Sequence, residues 1–178
     1  MSKINPTEKY YHELGGSKVI GFDFDNTCVV DEWPYVGPTI EGAAEVLREI
    51  LANGHELILF TQRQKHYPEC CPELSVYADE FGYNDDGTID LLTPAVDWFN
   101  TNVASDMLFG INSNLMWEKY TTDQGRKIYM DLLIDDHNVG MRYKTVKNRF
   151  GDNCKTVDWK FVDKWLVDAG IYNNKILS

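Results

Sequence analysis

The run KVIGFDFDNTCVV, residues 18–30, constrains the fold of this chain more than any other segment. Ile20 and Phe22 suit a buried strand, yet Asp23 and Asp25 follow directly in the same run. Ionised carboxylates are costly in an apolar interior unless a cation or hydrogen-bond donors meet them. The run therefore predicts a strand that ends in a polar site.

Three later apolar runs have the length of strands. They are ELILF, which ends at Phe60 and leads into TQR, then MLFGIN from Met107 and MDLLIDD from Met130. All four strand candidates are short and rich in Ile, Leu and Phe, as is typical of strands buried on both faces of a sheet.

Helical patterns separate these strands. TIEGAAEVLREILANG predicts a helix with Thr39 as N-cap and Gly54 as its end. TPAVDWFNTNV predicts a second, with Thr93 as N-cap and Pro94 in the first turn. VDWKFVDKWLVDAG predicts a last helix, and the side chains expected to be buried there are Trp159, Val162, Trp165 and Leu166. The alternation predicts an α/β class, with a Rossmann-like, mainly parallel sheet covered by helices on both faces.

The length of 178 residues fits one domain spanning 1–178, with no internal repeat. VVDEWPYVGP reads as a loop, and residues 64–92 as a long loop or small insertion in which a hairpin near Asp86 and Gly87 is an option.

The composition and charge of the chain limit the classes of partner that it is expected to bind. A formal charge of −11 argues against a nucleic-acid polymer, which usually requires a basic face. No run is long and apolar enough to span a membrane, and the N-terminus lacks the apolar core of a signal peptide. The four cysteines show no CxxC spacing, so reduced thiols are expected rather than a zinc site. These features favour a soluble, cytoplasmic protein with a small-molecule partner.

Polar side chains follow the predicted strands. Ligands bind outside the carboxyl ends of parallel strands, so these side chains should meet at one edge. They are Asp23, Asp25 and Thr27 after the first strand, Thr61 after the second, and Asp135 and Asp136 after the fourth, with Lys127 just before it. Such acids suit a hard cation, while a hydroxyl and a lysine suit an anion. Lys119 and Arg126 remain alternatives to Lys127.

DFDNT, LFTQR, the later lysine and LLIDDHN resemble the four motifs of the haloacid dehalogenase superfamily of phosphohydrolases. DEWPYVG together with LLIDDHNVG resembles a compact, capless or small-cap branch of that superfamily. The resemblance spans residues 18–138. One departure is Asn26, where a glycine is commonest. The resemblance implies that Asp23 is the nucleophile and that Asp25 is the general acid and base.

The same resemblance implies the remaining roles. Thr61 binds a phosphoryl oxygen, and Lys127 balances the charge of the nucleophile and phosphate. Mg²⁺ is held by Asp23, the main-chain carbonyl of Asp25, and Asp135. Asp136 is a ligand through water or a partner of the ligands.

The acid at position 25 favours hydrolysis of phosphate esters, since dehalogenases, phosphonate cleavers and transport ATPases of the superfamily lack one there. The expected function is therefore a Mg²⁺-dependent phosphatase, acting through an aspartyl-phosphate on a small phosphorylated metabolite or nucleotide. Thr27, Trp33 and Arg63 are expected to contact the substrate, with Tyr35 near the same rim. Trp33 and Tyr35 packing the loop, and Arg63 pairing with an acid such as Asp31, are the alternatives.

Two other functions fit parts of the pattern. A phospho-receiver domain also gathers acids, Thr and Lys around Mg²⁺, but its paired acids come first, whereas Asp135 and Asp136 come last here. The other is a regulatory protein that binds phosphate without turnover. Hydrolysis of p-nitrophenyl phosphate with Mg²⁺ distinguishes an enzyme from both.

Overall fold

A four-stranded parallel sheet forms the centre of the fold in the computed structural model, which describes residues 6–67, 72–81, 83–119 and 128–177. In chain order, the elements are α1 (Pro6–Leu14), β1 (Val19–Phe22), β2 (Val29–Glu32), β3 (Tyr35–Thr39), α2 (Ala43–Ala52), β4 (Glu56–Leu59), β5 (Lys65–His66), a 3₁₀ helix (Pro72–Tyr77), α3 (Ala78–Phe81), β6 (Ile89–Asp90), α4 (Thr93–Asn102), β7 (Leu108–Ile111), α5 (Leu115–Glu118), β8 (Leu132–Ile134), β9 (Tyr143–Lys147), β10 (Asn153–Val157) and α6 (Trp159–Asp168).

The strand order in this sheet is β7-β4-β1-β8. β1 is central, and Gly21 lies opposite Ile58 of β4 on one side and Leu133 of β8 on the other. The chain continues from β1 to β4 on one side, and returns to β8 on the opposite side. The strand order therefore reverses between β1 and β8, where a crevice opens outside the carboxyl ends of the strands.

Helices cover both faces of the sheet, as the alternating pattern predicts. Ile20 and Phe22 point to the face covered by α2, α4 and α6, and Phe22 stacks on Phe99 with ring centroids 5.7 Å apart. Val19 and Ile58 point to the opposite face and pack against Tyr10 of α1. The predicted α/β, Rossmann-like class is confirmed.

Gly21 allows close packing on the α1 face. A Cβ built at this position lies 2.5 Å from the sulfur of Met130 and 3.1 Å from a methyl group of Leu133. A larger side chain at position 21 therefore requires the side chains of Met130 and Leu133 to move.

The segment after Asp25 is a β-hairpin, so its interpretation as a loop is wrong. β2 and β3 pair antiparallel, with Glu32 opposite Tyr35, and a cis peptide bond joins Trp33 to Pro34. Thr39 belongs to β3 and its hydroxyl accepts a hydrogen bond from Trp98 at 2.8 Å, so it does not cap α2. Packing within the hairpin outweighs the local capping preference.

The last helix begins close to its predicted start, but one of its tryptophans is exposed. Trp159 and Leu166 are fully buried, whereas Trp165 is 40% exposed. Asp163 is also buried on this helix, where its carboxylate accepts hydrogen bonds from the hydroxyl of Tyr172 and the amide of Leu177. The α6 face includes a buried carboxylate because the C-terminal segment supplies its donors.

Besides the β2–β3 hairpin, two further antiparallel pairs lie outside the central sheet in the described residues. β9 and β10 form a hairpin that the sequence patterns did not predict. β5 and β6 pair at the base of the 64–92 segment, in which Leu74, Ile89 and Leu91 form a small buried cluster. The described part of this segment is thus a folded insertion.

Two further predictions concern thiols and membranes. Cys28 and Cys154 carry free thiols, while Cys70 and Cys71 lie outside the described residues. Among the helices that the structure describes, none is long and apolar enough to cross a membrane.

Candidate active site

The chain turns sharply directly after β1. The amide of Asp23 still bonds to the carbonyl of Ile134 at 2.9 Å, which keeps this residue beside β8. The carbonyl of Phe24 then accepts the amides of Cys28 and Val29 at 2.7 and 3.1 Å. Asn26 takes the left-handed conformation with φ of 57°, which asparagine tolerates better than most residues. This tolerance explains why a residue other than glycine serves at position 26.

A cleft of about 500 Å³ lies at the carboxyl edge of the sheet, beside this turn. Its lining includes Asp23, Asp25, Thr61, Asp135 and Asp136. The tertiary structure therefore brings together the described acids and the threonine that the sequence singles out. Other lining residues that sequence reasoning missed are Asn26, Phe60, Gln62, His66 and His137.

Asp23 is the most strongly perturbed acid in the cleft. Burial, together with the negative charges of Asp135, Asp136 and Asp25, raises the pKa of its carboxyl to about 7. The amide of Phe24 opposes this effect with a hydrogen bond. A buried carboxylate among like charges is a site that a cation stabilises.

Thr27 supports Asp23 from within the protein. Its side chain is fully buried, and its hydroxyl donates to an oxygen of Asp23 at 3.3 Å while accepting the amide of Asp136 at 3.1 Å. The expectation that Thr27 contacts substrate is therefore wrong. The two hydrogen bonds of Thr27 instead link the end of β1 to the loop after β8.

Thr61 is held by Asn112, a residue that follows β7. The side-chain oxygen of Asn112 accepts the Thr61 amide at 2.9 Å, and its side-chain nitrogen donates to the Thr61 carbonyl at 2.8 Å. Asn112 itself has a φ of 48°. The sequence signal for these two hydrogen bonds is the asparagine that directly follows the strand LFGI.

Arg63 points into the protein and pairs with Asp25. Its Nε and one Nη donate to the two carboxylate oxygens at 2.8 and 2.7 Å, and its side chain is only 1% exposed. The alternative prediction, that Arg63 pairs with a nearby acid, is confirmed, although the acid is not Asp31. Because the guanidinium is committed to this pair, the structure does not support the predicted grip on a substrate anion. The partner is Asp25, two residues after Asp23.

The loop after β8 adds a histidine to the two predicted acids. His137 places Nδ1 2.7 Å from Asp136, and its amide donates to Asp135 at 2.7 Å. The Asp136 carboxylate raises the pKa of His137, whereas burial raises the pKa of Asp136. One potential ligand atom from each of Asp135, Asp136 and His137 lies within 4.8 Å of the other two.

The donor set of the cleft fits a hard divalent cation. The described lining carries five aspartates, one arginine and two histidines. The arginine, Arg63, already balances Asp25, so Asp23, Asp31, Asp135 and Asp136 leave an excess of negative charge. Carboxylate oxygens in such excess are the ligands that Mg²⁺ prefers.

Trp33 lies in the cleft lining, whereas Tyr35 does not belong to it. Trp33 is 37% exposed at the tip of the β2–β3 hairpin. The Tyr35 ring packs on Tyr77 and Phe81 at centroid distances of 5.7 and 5.4 Å. Its hydroxyl donates to Glu80 at 2.5 Å. Tyr35 thus joins the hairpin to the 64–92 insertion.

Of the three candidates for the balancing cation, only Lys119 falls within the described residues, since Lys127 and Arg126 lie outside them. Lys119 lies 3.4 Å from Glu13 of α1, with a side chain that is 62% exposed. It is absent from the described cleft lining. Because Lys119 lies away from the cleft, Lys127 stays the preferred candidate, on sequence grounds.

The resemblance implies that Lys127 offsets the charge of Asp23 and of a phosphoryl group, so we expect Lys127→Ala to lower kcat for phosphate-ester hydrolysis by about 100-fold or more. Steady-state kinetics of Lys119→Ala and Arg126→Ala are the matched comparison. A large fall confined to either of these variants would assign the role to that residue.

Comparisons with known proteins extend the assignment of the fold. No protein-family model and no curated protein matches the sequence. A solved structure of a conserved protein from Bacteroides thetaiotaomicron is similar, with a TM-score of 0.54 and 22% identity, over 91% of this chain and 98% of that one. The similarity extends over nearly the whole of both chains and supports the α/β architecture of this protein.

Proposed function

We propose that the protein is a Mg²⁺-dependent phosphohydrolase of the haloacid dehalogenase type, acting on phosphate monoesters. One observation carries this proposal. Asp23, Thr61 and Asp135 follow three different strands of the sheet, yet all three line one cleft where the strand order reverses. The sequence resemblance assigns these three positions to the nucleophile, the phosphate ligand and the metal ligand.

Asp23 is the proposed nucleophile. Its carboxylate oxygen attacks phosphorus, the bond to the ester oxygen breaks, and the product alcohol leaves with a proton supplied by Asp25. Asp25 then takes a proton from water, which attacks the aspartyl-phosphate and regenerates Asp23 with release of phosphate. Splitting the substitution into two steps replaces one difficult reaction with two easier ones.

Asp23, the main-chain carbonyl of Asp25, and Asp135 are the residues proposed to hold Mg²⁺, with Asp136 beside them. When bound, the cation offsets the negative charge of the carboxylates and of the phosphoryl oxygens. Thr27 keeps Asp23 and the backbone of Asp136 in register through its two hydrogen bonds. Thr61 is proposed to donate its hydroxyl to a phosphoryl oxygen.

The assay that tests this proposal measures phosphate release from a panel of phosphate esters by the full chain with Mg²⁺. We expect turnover of p-nitrophenyl phosphate and faster turnover of at least one metabolite or nucleotide ester. Binding of phosphate without turnover of any ester would instead support a non-catalytic regulatory protein.

The substrate is proposed to be small, with a nucleoside monophosphate as the first candidate, because the exposed face of Trp33 in the cleft can stack on a base or sugar. We expect Trp33→Ala to raise KM for the nucleotide about five- to tenfold and to leave KM for p-nitrophenyl phosphate nearly unchanged. Steady-state kinetics with both substrates measure this difference.

Trp165→Ala is the matched control, since Trp165 is similarly exposed but lies on α6, outside the described cleft lining. It should change neither KM. Equal effects of Trp33→Ala on both substrates would show that Trp33 supports the hairpin, and would remove the argument for a nucleotide.

A further inference from the structure

We propose that Arg63 is a positioning residue, which orients the Asp25 carboxylate for proton transfer and ties it to the β2–β3 hairpin. This inference rests on the proposed phosphohydrolase function, because it concerns the group assigned there as general acid. Arg63 itself is not proposed to touch the substrate.

The contact between the two residues is bidentate. Nε of Arg63 lies 2.8 Å from one oxygen of Asp25, and one Nη lies 2.7 Å from the other. Two parallel hydrogen bonds from a planar fork fix both the position and the plane of a carboxylate. The Asp25 side chain keeps 25% of its surface exposed and lines the cleft. Arg63 therefore holds Asp25 from behind and leaves an open side toward the substrate.

The guanidinium is itself fixed by the hairpin. Its Nη atoms donate to the carbonyl of Pro34 at 3.0 Å and to that of Tyr35 at 2.7 Å. The ring of Phe24 lies under the guanidinium carbon, with a centroid distance of 5.2 Å. Because both carbonyls belong to the hairpin that carries Trp33, the same side chain links the cleft rim to Asp25.

A role in folding alone does not explain this arrangement. A buried ion pair adds little net stability, since the loss of hydration offsets much of the attraction between the charges. A lysine provides the charge but not the fork, so it cannot span two carboxylate oxygens and two carbonyls at once. The geometry at Arg63 is specific to an oriented carboxylate.

Arg63→Lys tests this inference through the leaving group. Phenyl phosphate and p-nitrophenyl phosphate have similar shapes, but p-nitrophenolate leaves readily without a proton and phenolate does not. We expect kcat/KM, which reports only the first phosphoryl transfer, to fall about 100-fold for phenyl phosphate and at most about tenfold for p-nitrophenyl phosphate. Hydrolysis of the aspartyl-phosphate, in which Asp25 is the base, is common to both substrates and affects kcat for both alike. KM should stay within about threefold for both, because Arg63 is not proposed to contact the substrate.

Asp25→Asn should show the same dependence on the leaving group. The double variant Asp25→Asn/Arg63→Lys should be no slower than the slower single variant, since both substitutions impair one proton transfer. Independent, additive losses would contradict the inference.

Arg149→Ala is the matched control for loss of an arginine that supports the same hairpin. Arg149 pairs with the buried Glu32, and its guanidinium carbon lies 4.6 Å from the Tyr35 ring centroid. We expect lower stability with equal effects on the two substrates.

Two results would overturn the inference. One is an equal loss of kcat/KM on both substrates for a folded Arg63→Lys protein. The other is failure of both Arg63→Lys and Arg63→Met to fold, checked by circular dichroism, which would assign Arg63 to the fold. Absence of phosphatase activity in the wild-type protein is a distinct result, which would overturn the proposed function and this inference with it.

Discussion

Asp23→Asn is expected to lower phosphatase activity at least 10⁴-fold, about the loss seen when a catalytic nucleophile is removed. An amide oxygen is a poor nucleophile and cannot form the aspartyl-phosphate intermediate. Asparagine has nearly the same shape as aspartate, so the hydroxyl of Thr27 keeps a nearby acceptor. The measurement is phosphate release under saturating substrate and Mg²⁺, followed over hours to detect slow turnover.

The fold should survive this substitution. Asp23 is partly buried close to the negative charges of Asp25, Asp135 and Asp136, so loss of one charge relieves repulsion in the metal-free protein. We expect a melting temperature without metal equal to or above that of the wild type, and an unchanged circular dichroism spectrum. Substantial retained turnover with this unchanged fold would show that another residue attacks phosphorus.

Asp131→Asn is a matched control at the opposite end of β1. The Asp131 carboxylate accepts the amide of Val19 at 2.9 Å, an interaction that an amide oxygen also makes. It lies outside the described cleft lining. Activity of this variant should stay within about threefold of the wild type, as expected for a substitution away from the reacting groups.

Removal of Mg²⁺ is the second change with a large expected effect. We expect EDTA to lower activity at least about 1,000-fold, because the carboxylate cluster and the phosphate then lack a charge that is worth several kcal/mol in the transition state. Activity should return on addition of Mg²⁺. Full activity in chelator, or recovery with zinc alone, would contradict the assignment.

The melting temperature reports Mg²⁺ binding independently of activity. Mg²⁺ at about 100 times its Kd should stabilise the native state by about 2.7 kcal/mol, because only the folded chain assembles the site. For a chain of this size, that corresponds to roughly 5–10 °C in melting temperature. Asp135→Ala should abolish the shift, and a shift that persists in this variant would place the cation elsewhere.

The sequence by itself determined the fold class and the order of the site residues along the chain. An apolar run of strand length marks a buried strand wherever it occurs, and the polar residue after it marks the strand end. Asp23, Thr61 and Asp135 each follow such a run, so their meeting at one edge followed from the prediction of a parallel sheet. That these three residues line one cleft agrees with this reasoning.

The β2–β3 hairpin shows where local patterns were insufficient. Its sequence contains Pro34, Gly37 and Pro38, which favour loops, yet it pairs antiparallel beside the cleft. Thr39 has the chemistry of an N-cap, but it packs in this hairpin and bonds to Trp98. Contacts with residues far along the chain decided both outcomes.

Only the tertiary structure decided which polar side chains face the cleft and which support it. Thr27 and Arg63 look like substrate ligands in sequence because they follow strands, but both are buried and bond to Asp23 and Asp25. The exposure of Trp165 likewise depends on what covers α6. A periodic pattern predicts which face of a helix or strand is buried. The partner of a buried charge depends instead on which distant segments fold against that charge, and no local pattern records this pairing.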